Sequence, residues 1–121
     1  MSKRQLYLET TVSDHKAYYR GAHELHLRVT GERKAGKLLG VQLLGHKQSE
    51  VSKRIDVYAT ALFHCMDVEE LNDLDLSYTP PLSSSWDPIQ MAAQAYSVRL
   101  AVMRFPGLAD RPKATWQLRF E

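Results

Sequence analysis

Cysteine is almost missing from this chain: Cys65 stands alone among 121 residues. No internal disulfide can form, and no Cys-x-x-Cys pair exists to hold zinc or exchange disulfides. A reducing, cytoplasmic compartment fits that usage best. Long apolar runs are missing too. None approaches the roughly 20 residues that cross a bilayer, and "MSKRQLYLET" lacks the apolar core of a signal peptide. Neither sign of charge prevails. The 16 Lys and Arg face 14 Asp and Glu, a net charge of +2, so nothing pushes the chain toward nucleic acid or a membrane surface. Glycine-rich phosphate turns are also missing: there is no GxGxxG and no GxxxxGK[ST]. Without such a turn the chain is expected to bind neither flavin nor nicotinamide by itself.

What is present is ordinary globular sequence. Hydrophobic residues make up 44%, enough for one domain over residues 1–121 with one core, over about 4–103. "RQLYLETTVS" alternates, with Leu6 and Leu8 on one side, and reads as a strand. "ELHLRVT" (24–30) alternates more cleanly: Leu25, Leu27 and Val29 face one way, Glu24, His26 and Arg28 the other. "GERKAG" (31–36) reads as a glycine-bounded turn. "KLLGVQLLG" (37–45) is apolar on both faces, which predicts a more central strand. Gly40 within it suggests close approach by another backbone.

Helices follow. In "SEVSKRIDVYATALFHCM", Ile55, Ala59, Leu62 and Met66 recur at helical spacing and predict a buried stripe. "DVEEL" restarts at Asp67, with Glu70 placed for a capping box. Asp87, Pro88 and Gln90 form a third helix start, and that helix should end before Pro106. Its small residues Ala92, Ala93 and Ala95 favour close packing. In the tail, Trp116, Leu118 and Phe120 alternate and suggest a late strand. The sum is an α+β fold, with an antiparallel sheet of three to five strands and about three helices packed on it.

The chemistry-bearing residues are few. Five histidines give no HExxH, and His23 and His26 should point to opposite faces of a strand, so no metal site is expected. Adjacent helical side chains diverge by about 100°, so His64 and Cys65 cannot act as a nucleophile pair. Cys65 reads as a buried, inert thiol. The acidic run Asp67, Glu69, Glu70, Asp73 and Asp75 is explained by a solvated face. Two tyrosine sites remain. Tyr18 and Tyr19 sit in "HKAYYRGA"; Tyr78 sits in "LDLSYTPPLSSSWDP", ahead of Pro80 and Pro81. Two prolines stiffen and extend that loop. Either set is a half-buried aromatic with a surface hydroxyl, or a held phenol serving as proton donor. The pattern itself does not choose.

Four segments in order carry a resemblance: Tyr-Tyr-x-Gly-Ala, the Gly-Lys-x-x-Gly strand, the Lys-Arg-Ile-Asp-Val helix start, and Leu-x-Tyr-x-Pro-Pro leading into Asp-Pro. Over residues 4–103 the chain resembles the C-terminal dimerisation domain of pyridine nucleotide-disulfide oxidoreductases, in the branch of coenzyme A disulfide reductase and NADH oxidase. The resemblance implies a homodimer and a parent enzyme whose other domains bind FAD and NAD(P)H. It also implies that Tyr78 and Tyr18 act in trans at the partner subunit's redox centre, with Tyr19 contacting substrate. Arg20 stands where the family usually has proline, and the tail after Gly107 matches no family segment. The chain is therefore expected to be the interface and rim domain of such an enzyme, inactive alone. The alternative is a free-standing homodimeric binding module that kept the fold without the enzyme.

Overall fold

The computed structural model describes residues 4–14, 20–78 and 85–108. Three strands come first: β1 (Gln5–Ser13), β2 (Glu24–Glu32) and β3 (Leu38–Gly45). They form an antiparallel sheet in the order β1-β2-β3. Alternation in β2 sets its two faces, as expected. Leu25, Leu27 and Val29 are buried, while Glu24, His26 and Arg28 are exposed. On the wet face Arg28 pairs with Glu9, its neighbour in register, and lies 5.1 Å above the Tyr7 ring. Thr11 Oγ1 and His26 Nδ1 are also register partners and share a hydrogen bond of 3.0 Å.

The strand predicted to be central is instead at an edge. Among the described residues β3 pairs only with β2, and they leave its second apolar face open: Leu39 and Leu44 are both exposed. Two apolar faces here reflect an uncovered surface, not a position between neighbours. Gly40 meets nothing within 4 Å of a would-be Cβ. The close approaches lie at Gly31 and Gly45. Gly31, read as a turn boundary, sits inside β2 at a register shift, under Tyr96.

Helix α1 (Val51–Phe63) buries Arg54, Tyr58 and Ala61. The expected stripe is displaced by one position: Ala59 and Leu62 are exposed, and Ile55 and Met66 are only partly covered. The helix also stops earlier than its periodicity suggests. Met66 N–H donates to the Ala61 carbonyl at 3.0 Å, and Cys65 N–H to that of Leu62 at 3.1 Å. These are the two bonds of a Schellman motif. It requires a left-handed residue, and Cys65 supplies it with φ 54°. Cys65 is consequently exposed, not buried.

Helix α2 (Val68–Asn72) opens with the expected capping box of Asp67 and Glu70. It is stitched to the hairpin, because Val68 N–H donates to Gly36 O and Leu38 N–H to Met66 O. Helix α3 (Pro88–Arg104) has its expected Asp87 cap, Pro88 start and Gln90 reciprocal bond. Ile89, Ala92, Ala93, Tyr96 and Leu100 are buried at helical spacing, and α3 packs on β1, β2 and α2. With Leu25, Leu27, Val29, Val68 and Leu71 they form the core. Each fully buried Leu or Val contributes roughly 1.5–3 kcal/mol. A 3₁₀ turn, Pro106–Leu108, follows α3. The tail strand read at 113–120 lies outside the described residues. Among the described residues no helix is long and apolar enough to cross a membrane.

Candidate functional site

Tyr78 ends a segment that leaves α2 and runs along the start of α3. Asp73 N–H closes α2 on the Glu70 carbonyl, and Leu74 and Leu76 lean on the core. Gln90 then fastens the backbone. Its Nε2 donates to the carbonyls of Leu74 at 2.7 Å and Asn72 at 3.3 Å. Its Oε1 accepts from Asp87 N–H at 3.2 Å. A carboxamide carries both donor and acceptor, so one side chain caps α3 and holds the tyrosine segment. Gln94 adds a bond to the Asn72 side chain at 2.8 Å. Beyond these anchors Tyr78 is half exposed, at 49%.

Tyr18 and Tyr19 lie outside the described residues, as do Pro80 and Pro81. The base of the Tyr18 loop is described. Asp14, 2% exposed, donates its N–H to the His23 carbonyl at 2.9 Å. Its carboxylate accepts from His23 N–H at 3.0 Å. The His23 ring stacks flat on His46, with centroids 4.1 Å apart.

A buried arginine missed in the sequence reading lies near both loop bases. Arg54 donates to the carbonyls of Asp14, at 2.8 Å, and Ser49. Its Nε stands 3.6 Å from Asp87 Oδ1, the cap of α3. One turn along, Tyr58 reaches the Ile89 carbonyl at 3.5 Å. Burial, and after it the Asp87 charge, pushes the Tyr58 phenol far above its usual range. The available signal was the spacing of Arg54, Tyr58 and Ala61, which places a charge within a buried stripe.

The described residues do not fit a dinucleotide. The β3–α1 connection, 46–50, contains no glycine and ends on the acidic Glu50. The start of α3 is filled by the carboxylate of Asp87. No cluster of three metal-ligating side chains occurs among the described residues.

Residues 6–104 match the family described as pyridine nucleotide-disulphide oxidoreductase, dimerisation domain. The chain belongs to this family. The dimerisation domain is 36% identical over 84 residues to coenzyme A disulfide reductase of Staphylococcus aureus (strain bovine RF122 / ET3-1), covering 69% of this chain and 19% of that protein. It is 32% identical over 77 residues to NADH oxidase of Methanocaldococcus jannaschii, covering 64% and 16%. Its fold superposes on reduced Bacillus anthracis CoADR-RHD with a TM-score of 0.76 and 35% identity, over 80% of this chain and 17% of that one. The α+β fold and the reductase branch expected from the four motifs are thereby established. The dimerisation domain spans about a fifth of the length of the curated relatives it matches.

Proposed function

We propose that this dimerisation domain joins two subunits of a FAD- and NAD(P)H-dependent disulfide reductase or NADH oxidase, and that it carries Tyr78 and Tyr18 to the partner subunit's redox centre. Residues 1–121 act as one unit, with a core over 4–103. Other domains of the parent supply flavin and nicotinamide, which bring the electrons. This chain supplies no turnover alone, works as a homodimer and resides in the cytoplasm. The names of its relatives support the reaction class. The observation that carries the site is Tyr78 itself: a half-exposed phenol on a backbone held by a buried glutamine.

A phenol so held can donate a hydrogen bond, and then its proton, to a thiolate released when a disulfide is reduced. Tyr18 shares that task, and Tyr19 contacts substrate. The test is steady-state disulfide reduction by a full-length enzyme carrying this domain. Tyr78→Phe keeps the ring and removes the proton, so kcat should fall while KM holds. A general acid contributes typically about 10²- to 10⁴-fold, and a shared role places each single change at or below the low end. Thermal unfolding should barely move. An unchanged rate for both Tyr78→Phe and Tyr18→Phe would leave the domain as interface alone.

A further inference from the structure

Arg54 lies where three separate parts of the chain meet. Its side chain is 6% exposed, and its guanidinium reaches the Asp14 carbonyl, the Ser49 carbonyl and the Asp87 carboxylate. Asp14 and Ser49 are themselves buried, at 2% and 1%. Each acceptor ends or begins an element. Asp14 follows β1, directly before the stretch holding Tyr18 and Tyr19. Ser49 lies just ahead of α1. Asp87 caps α3, directly after the stretch that begins at Tyr78. A buried charge is held only where it is paired and hydrogen-bonded. Here those partners belong to the bases of both tyrosine loops.

We infer that Arg54 is a positioning residue that ties together the described ends of the two tyrosine-bearing stretches, Asp14 on one side and Asp87 on the other. This rests on the proposed role of Tyr78 and Tyr18. A planar guanidinium presents donors along two edges, so one rigid group can hold carbonyls on one side and face a carboxylate on the other. Lysine, a single point on a flexible stem, cannot serve all three at once. Arg54 is buried away from the surface that a substrate could reach. Its effect on rate is transmitted through the loop bases.

The test has two arms. In this chain, hydrogen exchange is followed for Arg54→Lys, with Val68→Ala as a core variant that leaves the three contacts intact. Arg54→Lys should raise exchange by at least about tenfold at residues 20–23 and 85–87 together. The β2 amides should change no more than in Val68→Ala. A rise at one loop base only, or an equal rise everywhere, overturns the inference. Should Arg54→Lys fail to fold, Asp87→Asn retains a good cap but removes the charge. It should loosen residues 20–23, which it influences through Arg54; silence there overturns the inference equally.

In the full-length enzyme, Arg54→Lys should lower kcat with KM held. Combined with Tyr78→Phe it should cost less than the product of the two single effects. If exchange rises at both bases but Tyr78→Phe leaves kcat unchanged, Arg54 still joins the two bases and the catalytic reading falls. If Tyr78→Phe is slow while Arg54→Lys keeps normal exchange and rate, the reading stands and the role given to Arg54 is overturned.

Discussion

The phenol of Tyr96 lies against the backbone of Gly31, in the space where a side chain at residue 31 would begin. A Cβ there would stand 2.6 Å from Tyr96 Cζ and nearer still to its hydroxyl. Carbon atoms pack best at about 3.5–4.0 Å. Gly31→Ala should therefore lift α3 from β2 or force Tyr96 off its rotamer, costing about 1–3 kcal/mol. Urea unfolding would report it as a lower midpoint. An unmoved midpoint would mean that α3 does not seat on the sheet at this point.

Cys65→Gly should stabilise the protein. A non-glycine residue in the left-handed region carries a strain of about 1–2 kcal/mol, and Cys65 holds φ 54° with its thiol exposed. Glycine removes the strain and sacrifices no packing, while its added freedom in the unfolded chain offsets part of the gain. A net rise of about 0.5–1 kcal/mol is expected, read as a higher Tm. A lower Tm would show that the Cys65 side chain makes a stabilising contact.

Gln90→Glu separates two tasks of one residue. Glutamate serves well in a capping box, so α3 should still begin at Pro88. The donors to the Leu74 and Asn72 carbonyls disappear, and a carboxylate faces two carbonyl oxygens instead. Leaving such buried acceptors without partners costs about 1–3 kcal/mol. Exchange should rise across residues 74–78 while α3 keeps its protection. Loss of α3 protection as well would mean that cap and loop cannot be separated.

Alkaline pH should weaken the fold. Burial, then the Asp87 charge, raises the Tyr58 phenol above its model-peptide value of 10.0. Burial also raises Tyr96, against the lowering effect of Arg104 and Arg33. The folded chain thus keeps protons that the unfolded chain releases near pH 10. Stability from these groups is complete below about pH 10 and is lost as pH climbs through the window above it. The slope is at most about 1.4 kcal/mol per pH unit for each tyrosine. Denaturant midpoints measured from about pH 9 upward should fall, and fall less steeply in Tyr58→Phe. Equal slopes would remove Tyr58 from the effect.

Much of the fold was legible in the sequence. Alternation placed Leu25, Leu27 and Val29 inward, and local cap chemistry placed the starts of α2 and α3 at Asp67 and Asp87. These signals depend on residues close together in the chain. The position of β3 was not legible, because an apolar pattern reports dryness or an open apolar surface alike, and Leu44 is the latter. The end of α1 was hidden because cysteine, not glycine, fills its left-handed position. At the candidate site the proline-flanked stretch singled out Tyr78 but left its role open, and only the family resemblance supplied one. Arg54 and the donor half of Gln90 were not legible, since their partners are distant in sequence: Asp14 for the first, Leu74 for the second.

The strands neighbour one another in space as they do along the chain, so the sheet can close through short connections alone. Helix α3 is different. It starts at Pro88 yet packs on β1, which ends at Ser13. Closing so long a loop is entropically slow, and local hairpins form first. Docking of α3 is thus expected late in folding, and its release early in unfolding. A chevron plot would show this as Leu27→Ala slowing folding and Ala93→Gly mainly speeding unfolding; the reverse assignment would refute the order. The segment leading to Tyr78 is fastened to that same helix where Gln90 bonds the Leu74 carbonyl, so its placement is among the last features acquired and the first surrendered.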